Sequence, residues 1–218
     1  MQEQISFFDY QKLNNSNKII LDLCGGTGSW SKPYAEAGYD VRIITLPNYD
    51  VTTYVPPDEV YGILAAPPCT EFSPCNAIAA ARERNPEEGM IVVNACLEII
   101  RSTKHKFWAM ENPSGLLKRY LGKPKLVFQP WEYGDAWTKR TDIWGDFNIP
   151  RKRFDNWDDV PRLPIYCRKT REKPSLAFLH KSAQSLIPQF AGFVVNTDAD
   201  LRAITPPGFA KSFFEVNR

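Results

Sequence analysis

Histidine is scarce in this 218-residue sequence, with only His105 and His180, and its five cysteines, Cys24, Cys69, Cys75, Cys96 and Cys167, form no Cys-x-x-Cys pair. So few ligand types leave little material for a zinc site or a histidine-activated thiol, and an odd, unspaced set of thiols indicates a reducing compartment. No uncharged apolar run approaches the roughly 18 residues that a membrane span needs, and no basic-then-apolar start suggests export. A cytoplasmic protein without a metal or a membrane partner is therefore expected. Internal repeats and low-complexity tracts are also missing. With 43% hydrophobic and 24% charged residues, the chain has the composition of an ordinary globule and the length for one well-buried domain.

Charge is unevenly distributed. Residues 1–100 carry 6 Lys+Arg against 13 Asp+Glu, whereas residues 101–218 carry 21 against 12. The clusters Arg151-Lys152-Arg153 and Arg168-Lys169-Thr170-Arg171 fit a phosphate-tracking surface or a solvated basic face.

After a polar lead-in over 1–17, Lys18 to Leu23 reads as a buried strand that runs into Cys24-Gly25-Gly26-Thr27-Gly28-Ser29-Trp30. Lys32 to Ala37 then reads as a short helix closed by Gly38. A strand, a glycine-rich turn and a helix start form the nucleotide-binding corner of a doubly wound sheet, because glycine lets backbone amides approach a ligand. Asp22 within the strand suits a cationic or amino-bearing ligand, or a cap on the turn. Asp40 to Ile44 is a second strand. No room for a helix follows it, and the acidic residue expected for a ribose is missing, which leaves Asp50 as the nearest carboxylate for a ligand amino group.

The run Val60 to Leu64 ends at Ala65-Ala66-Pro67-Pro68-Cys69-Thr70-Glu71-Phe72-Ser73, which places a cysteine on a proline-stiffened turn at a strand end. Cys69 is either a small buried hydrophobe or a nucleophile at the carboxyl edge of an α/β sheet. Residues 74–89 read as a mobile loop, Met90 to Arg101 as an amphipathic helix, and Phe107 to Met110 as a strand ending at the turn Glu111-Asn112-Pro113. A thiol and a carboxylate on adjacent strand ends suit a nucleophile with a partnering acid, although Glu111 also suits a helix cap or the surface. Leu126 to Tyr133 and Thr141 to Phe147 read as a closing hairpin. Residues 150–203 are proline-rich and weakly periodic, and Ile204 to Glu215 reads as a turn into an amphipathic terminal helix.

Taken in order, these stretches resemble the cytosine-C5 DNA methyltransferase family. LDLCGGTGSWS (21–31) is similar to its Asp-Leu-Phe-x-Gly-x-Gly start, and Tyr49-Asp50-Val51 to its Gly-Asp-Ile. PPCTEFS (67–73) is similar to its Pro-Pro-Cys-Gln-x-Phe-Ser, MENPSGL (110–116) to its Glu-Asn-Val turn, and YGDAWTKRTDIWG (133–145) to its Tyr-Gly-x-x-x-Gln-x-Arg-x-Arg strand. Thr138 stands where the family has glutamine, and Asp142 stands where it has a second arginine.

The resemblance implies an α/β, Rossmann-like methyltransferase fold that binds S-adenosyl-L-methionine (AdoMet), with a doubly wound, mostly parallel sheet and an antiparallel hairpin near the C-terminus. It implies a catalytic core over 1–149, a reduced recognition region over 150–203 and a terminal helix over 204–218 that packs back on the core. It assigns Cys69 as nucleophile, Glu111 as acid, Asn112 to positioning of the loop and Arg140 to the base edge or a phosphate. Asp22, Cys24, Gly25, Gly26, Gly28, Trp30, Asp50 and Pro67 would hold the cofactor. Duplex DNA with a flipped base is the implied substrate, in a bacterial or phage-infected cell, with a separate protein as a further source of recognition. Alternatives are C5 chemistry on RNA or a free nucleotide, and a silent nucleic-acid-binding protein.

Overall fold

A computed structural model describes residues 14–73, 83–165 and 173–218. Cys75, Cys167, the Arg168 to Arg171 cluster, residues 1–13 of the lead-in and residues 74–82 of the expected loop lie outside the described residues. The elements are β1 (Ile19–Leu23), α1 (Lys32–Glu36), β2 (Asp40–Ile44), β3 (Gly62–Ala65), α2 (Pro86–Ser102), β4 (Phe107–Pro113), α3 (Lys118–Leu121), β5 (Leu126–Phe128), β6 (Thr141–Asp146), α4 (Asp198–Ala203) and α5 (Pro207–Val216).

The six strands form one sheet in the order β2-β1-β3-β4-β6-β5. The first four run parallel, with Leu23 beside Ala65 and Ala65 beside Met110. β6 is antiparallel to both β4 and β5. This mixed, mostly parallel sheet, covered on both faces, is a Rossmann-like methyltransferase fold.

Alternation along the central strands builds two cores. Leu21, Leu23, Ile63, Ala65 and Met110 face α2, which contributes Val93, Cys96, Ile99 and Ile100. Ile20, Leu64, Phe107 and Ala109 face Trp30, Tyr34 from α1, and Phe209 and Phe213 from α5. Phe128 stacks on Phe209 at 3.9 Å, with the planes 11° apart. Burying each such ring is worth about 2–3 kcal/mol, so the terminal helix is part of the core and not an appendage.

Several sequence-based boundaries require correction. α2 begins at Pro86, four residues before the expected Met90. Asn85 caps it by accepting the Glu88 amide at 3.2 Å, Pro86 needs no donor in the first turn, and Glu87 and Glu88 favour the positive helix end. β4 continues through Glu111, Asn112 and Pro113, which the sequence reading put in a turn; β6 recruits them by pairing Glu111 with Ile143 and Pro113 with Thr141. The first arm of the hairpin stops at Phe128, because Pro130 to Tyr133 coil into a 3-10 turn. As expected, β2 and β3 are joined without a helix.

Within 150–203 the backbone forms short 3-10 turns, which explains the weak periodicity, together with the unexpected α4. Thr197 and Asp200 cap α4 reciprocally, a pattern readable in Thr-Asp-Ala-Asp. Ile165, Leu176, Leu179, Ile187, Phe190, Leu201 and Ile204 close a further core around Trp137.

Gly145 lies in β6 at φ 146°, and a Cβ there would sit 2.2 Å from the Trp108 carbonyl oxygen in β4. Gly145→Ala should therefore lower unfolding stability by roughly 3 kcal/mol or more, read as the urea midpoint. A change below about 0.5 kcal/mol would contradict the packing of β4 on β6.

Candidate active site

The parallel order places the carboxyl ends of β1, β3 and β4 side by side, and the chain reverses its lateral direction between β1 and β3. Open α/β sheets bind ligands at such a crevice. Three segments meet there.

The first is the turn after β1. Cys24, Gly26 and Gly28 adopt positive φ values of 58°, 52° and 68°. At Gly25 the constraint is a close approach: a Cβ would lie 2.4 Å from the Asp22 carboxyl carbon. Asp22 is fully buried and accepts a 2.5 Å hydrogen bond from Ser31 Oγ, while its Oδ1 has no partner. Burial pushes its carboxyl up to about 6; the Ser31 hydrogen bonds oppose this, and Glu111 adds to it. The neighbouring Cys24 thiol and burial push the Cys96 thiol well above its ordinary value. Ser29 Oγ accepts the Thr205 amide at 2.8 Å, which joins the turn to the segment entering α5.

The second segment is the loop after β3. The Ala66 amide makes a last ladder bond to Leu23, and Pro67 and Pro68 then offer no donors. The Pro67 carbonyl is taken by Asn112 Nδ2 at 3.0 Å. Beyond the prolines the chain turns, with the Phe72 and Ser73 amides donating to the Cys69 carbonyl, and the Leu116 amide donating to the Phe72 carbonyl. Cys69 is partly exposed. Burial pushes its thiol above the ordinary value; Lys139 pulls it down, Glu111 pushes it up, and Arg202 pulls it down.

The third segment is the end of β4 and its partner β6. Glu111 and Asn112 are buried, and Glu111 Oε2 and Asn112 Oδ1 lack partners. Asp142, also buried, accepts a short hydrogen bond from Ser114 Oγ. The Ser114 amide donates to the Arg140 carbonyl, and the Arg140 side chain is exposed.

Asp22, Cys24, Gly25, Gly26, Gly28, Pro67, Cys69, Glu111 and Asn112 thus gather at one sheet edge. Trp30 instead lies in the aromatic core, at 5.5 Å from Phe213 and 6.2 Å from Phe209. Asp50 is exposed beyond β2, where the Thr52 hydroxyl and amide donate to its Oδ1 at 2.7 and 2.9 Å and hold its carboxyl below the usual range. Sequence reading missed Lys139, Arg202 and Ser31. Lys139 sits one residue before the predicted Arg140, but nothing local marks Arg202 as a neighbour of Cys69.

Among the described residues no group of side chains could hold a metal ion, and no helix is long and apolar enough to cross a membrane. The donor set does fit AdoMet: a backbone turn open at Gly26, with the orphaned Asp22 Oδ1 at its base. The fold is that of Rossmann-like methyltransferases, with this edge as its candidate site. A Frog virus 3 (isolate Goorha) protein named "Probable DNA (cytosine-5)-methyltransferase" is 29% identical over 152 residues, covering 58% of this chain and 70% of the relative. That likeness supports assignment of the chain to the cytosine-C5 methyltransferase family. No protein-family model matches the chain.

The raised Asp22 carboxyl has a consequence for stability. Above about pH 4 the unfolded carboxyl ionises first, so the stability present below that pH is lost as pH rises through about 6. Asp22→Asn should be less sensitive than the parent chain over pH 4–6.5, measured by urea unfolding. Identical slopes would show that Asp22 ionises normally.

Proposed function

We propose that this chain is an AdoMet-dependent methyltransferase that acts on C5 of cytosine in DNA. The observation that carries the reading is a proline-stiffened thiol loop hydrogen-bonded through Asn112 to the strand bearing the buried, half-unpaired Glu111 carboxyl, beside the glycine turn. The name of the viral relative supports the same reaction. We further propose residues 1–149 as the catalytic core, 150–203 as the recognition region, and 204–218 as the helix that completes the core.

Cytosine C5 is a poor nucleophile until a thiolate adds at C6. In the proposed reaction Cys69 Sγ bonds to C6 while protonated Glu111 donates to N3, and electron density moves to C5. Lys139 and Arg202 favour the thiolate, against the larger effect of burial. AdoMet, when bound, would supply an electrophilic methyl group to C5 and leave as S-adenosylhomocysteine. Loss of the C5 proton to water then restores the double bond and expels the Cys69 thiolate. Asn112 holds the loop, and Arg140 engages the base edge or its phosphate. Asp22, Cys24, Gly25, Gly26, Gly28 and Pro67 line the cofactor side with Trp30 packed behind the turn, and Asp50 offers Oδ2 to an amino group. In duplex DNA the base must first be flipped out, at a cost of a few kcal/mol.

Fluorine at C5 cannot leave as a proton does, so duplex DNA containing 5-fluorocytosine should yield a denaturation-resistant adduct in the presence of labelled AdoMet. Cys69→Ser should abolish it. AdoMet binding with no adduct on duplex or single-stranded DNA would move the reading to RNA, a free nucleotide or a silent binding protein.

Asp50→Ala should weaken AdoMet binding about tenfold by calorimetry, the value of one charge-assisted hydrogen bond. Unchanged affinity would remove Asp50 from the cofactor site.

A further inference from the structure

A cavity of about 670 Å³ lies between α1, α5 and the segment 189–193, and none of the residues gathered at the reacting edge lines it. Its volume falls in the range of small-molecule sites, roughly 300–1,000 Å³. One side of α1, with Lys32 and Glu36, and one side of α5, with Pro207, Lys211 and Phe214, form two of its walls. Ser29 is its one residue from the turn after β1.

The lining is cationic. Lys18, Lys32, Lys211 and Arg218 stand against a single acidic side chain, Glu36. Lys32 Nζ and Glu36 are 4.0 Å apart with both side chains well exposed, a pairing that solvent weakens. Lys32 Nζ also rests 4.7 Å from the centroid of the Phe193 ring, which keeps the charge at the cavity wall. Lys18 is engaged, since it donates to Asn15 Oδ1 at 2.8 Å and lies over Tyr39 and Tyr61. Lys211 is exposed and has no ion-pair partner among the described residues. Lys32 and Lys211 are thus the two lysines with charge to spare.

The rest of the lining narrows the class of anion. Phe193 and Phe214 are half-buried, so each ring keeps part of its surface open. The side chains of Asn14 and Gln189 are exposed and carry no hydrogen bond among the described residues, and each offers both a donor and an acceptor. An aliphatic carboxylate would bring one charge and leave both amides idle. A nucleoside monophosphate brings a flat ring for the aromatic wall, polar edges for the amides and a multiply charged phosphate for the lysines.

We propose that this cavity binds a nucleoside monophosphate, with its phosphate on Lys32 and Lys211, its base along Phe193 and the polar edge of the base toward Asn14 and Gln189. The site is independent of the DNA reading, because no residue of the reacting edge takes part. A ligand there would join α1 to α5, which cover one face of β1, and would stabilise the fold by binding only the folded chain.

Calorimetry on the full chain, paired with urea unfolding, tests the site with guanosine monophosphate as the probe and with guanosine and inorganic phosphate as partial probes. Guanosine monophosphate should bind and raise the urea midpoint, with the same affinity in the presence and absence of AdoMet, and each partial probe should bind at least about tenfold more weakly. Lys32→Gln and Lys211→Gln should each weaken binding about tenfold, the value of one charge-assisted hydrogen bond, while Cys69→Ser leaves it unchanged. Circular dichroism of the two lysine variants should match the parent, which separates misfolding from lost contacts. Neither a binding heat nor a midpoint shift, or a binding that survives both lysine changes, would overturn the site. Competition by AdoMet or loss of binding in Cys69→Ser would put the nucleotide at the reacting edge and overturn it equally. Inorganic phosphate binding as tightly as guanosine monophosphate would also overturn it, by reducing the cavity to a patch of surface charge.

Discussion

The hydrogen bond from Asn112 Nδ2 to the Pro67 carbonyl is the constraint on which the site depends. Two consecutive prolines strip the loop after β3 of donors, so it cannot extend the sheet as β4 does. A side chain from β4 takes over the role of the ladder. Because the backbone of Asn112 is itself paired with Asp142, the thiol loop is fastened to the strand that carries Glu111. The Leu116 amide grips the same loop at Phe72, so residues 112–116 hold it at both ends. The relation between thiol and carboxyl is therefore set by paired strands rather than by loop conformation.

Electrostatics then divide the edge into two halves. Asp22 and Cys69 are each penalised by the charge of Glu111, and for both burial is the larger effect. The cationic half, Lys139 and Arg202, comes from segments outside the parallel sheet. These two charges pull the thiol down, against the larger upward push of burial.

Much of the parallel core was legible because buried strands, glycine turns and X-Pro breaks act locally. Ile19–Leu23, Asp40–Ile44 and the lack of a helix after Ile44 follow from short-range pattern. The continuation of β4 through Glu111 to Pro113 was not legible: those residues are extended because β6 pairs with them, and a distant strand leaves no mark on Glu-Asn-Pro. Asn85 and Thr197 did carry readable capping signals that were passed over. At the edge, Cys69 and Glu111 could be placed on adjacent strand ends from local pattern and Asn112 came from the family resemblance, whereas nothing local marks Arg202, whose neighbour Leu201 shares a core with Trp137. Periodicity cannot report that kind of proximity.

Phe209 and Phe213 lie in the same aromatic cluster as Ile20 and Trp30, and Tyr34 Oη donates to the Asn217 carbonyl at 3.2 Å. One face of the first strand therefore stays uncovered until residues 207–217 have been synthesised. During translation the nascent chain would present Ile20, Leu64 and Phe107 to solvent while it awaits α5. Such sequence-distant closure slows folding and exposes apolar surface to misassociation. The order in which the chain emerges thus leaves this apolar face dependent for its cover on α5, which starts only at Pro207 whereas β1 starts at Ile19.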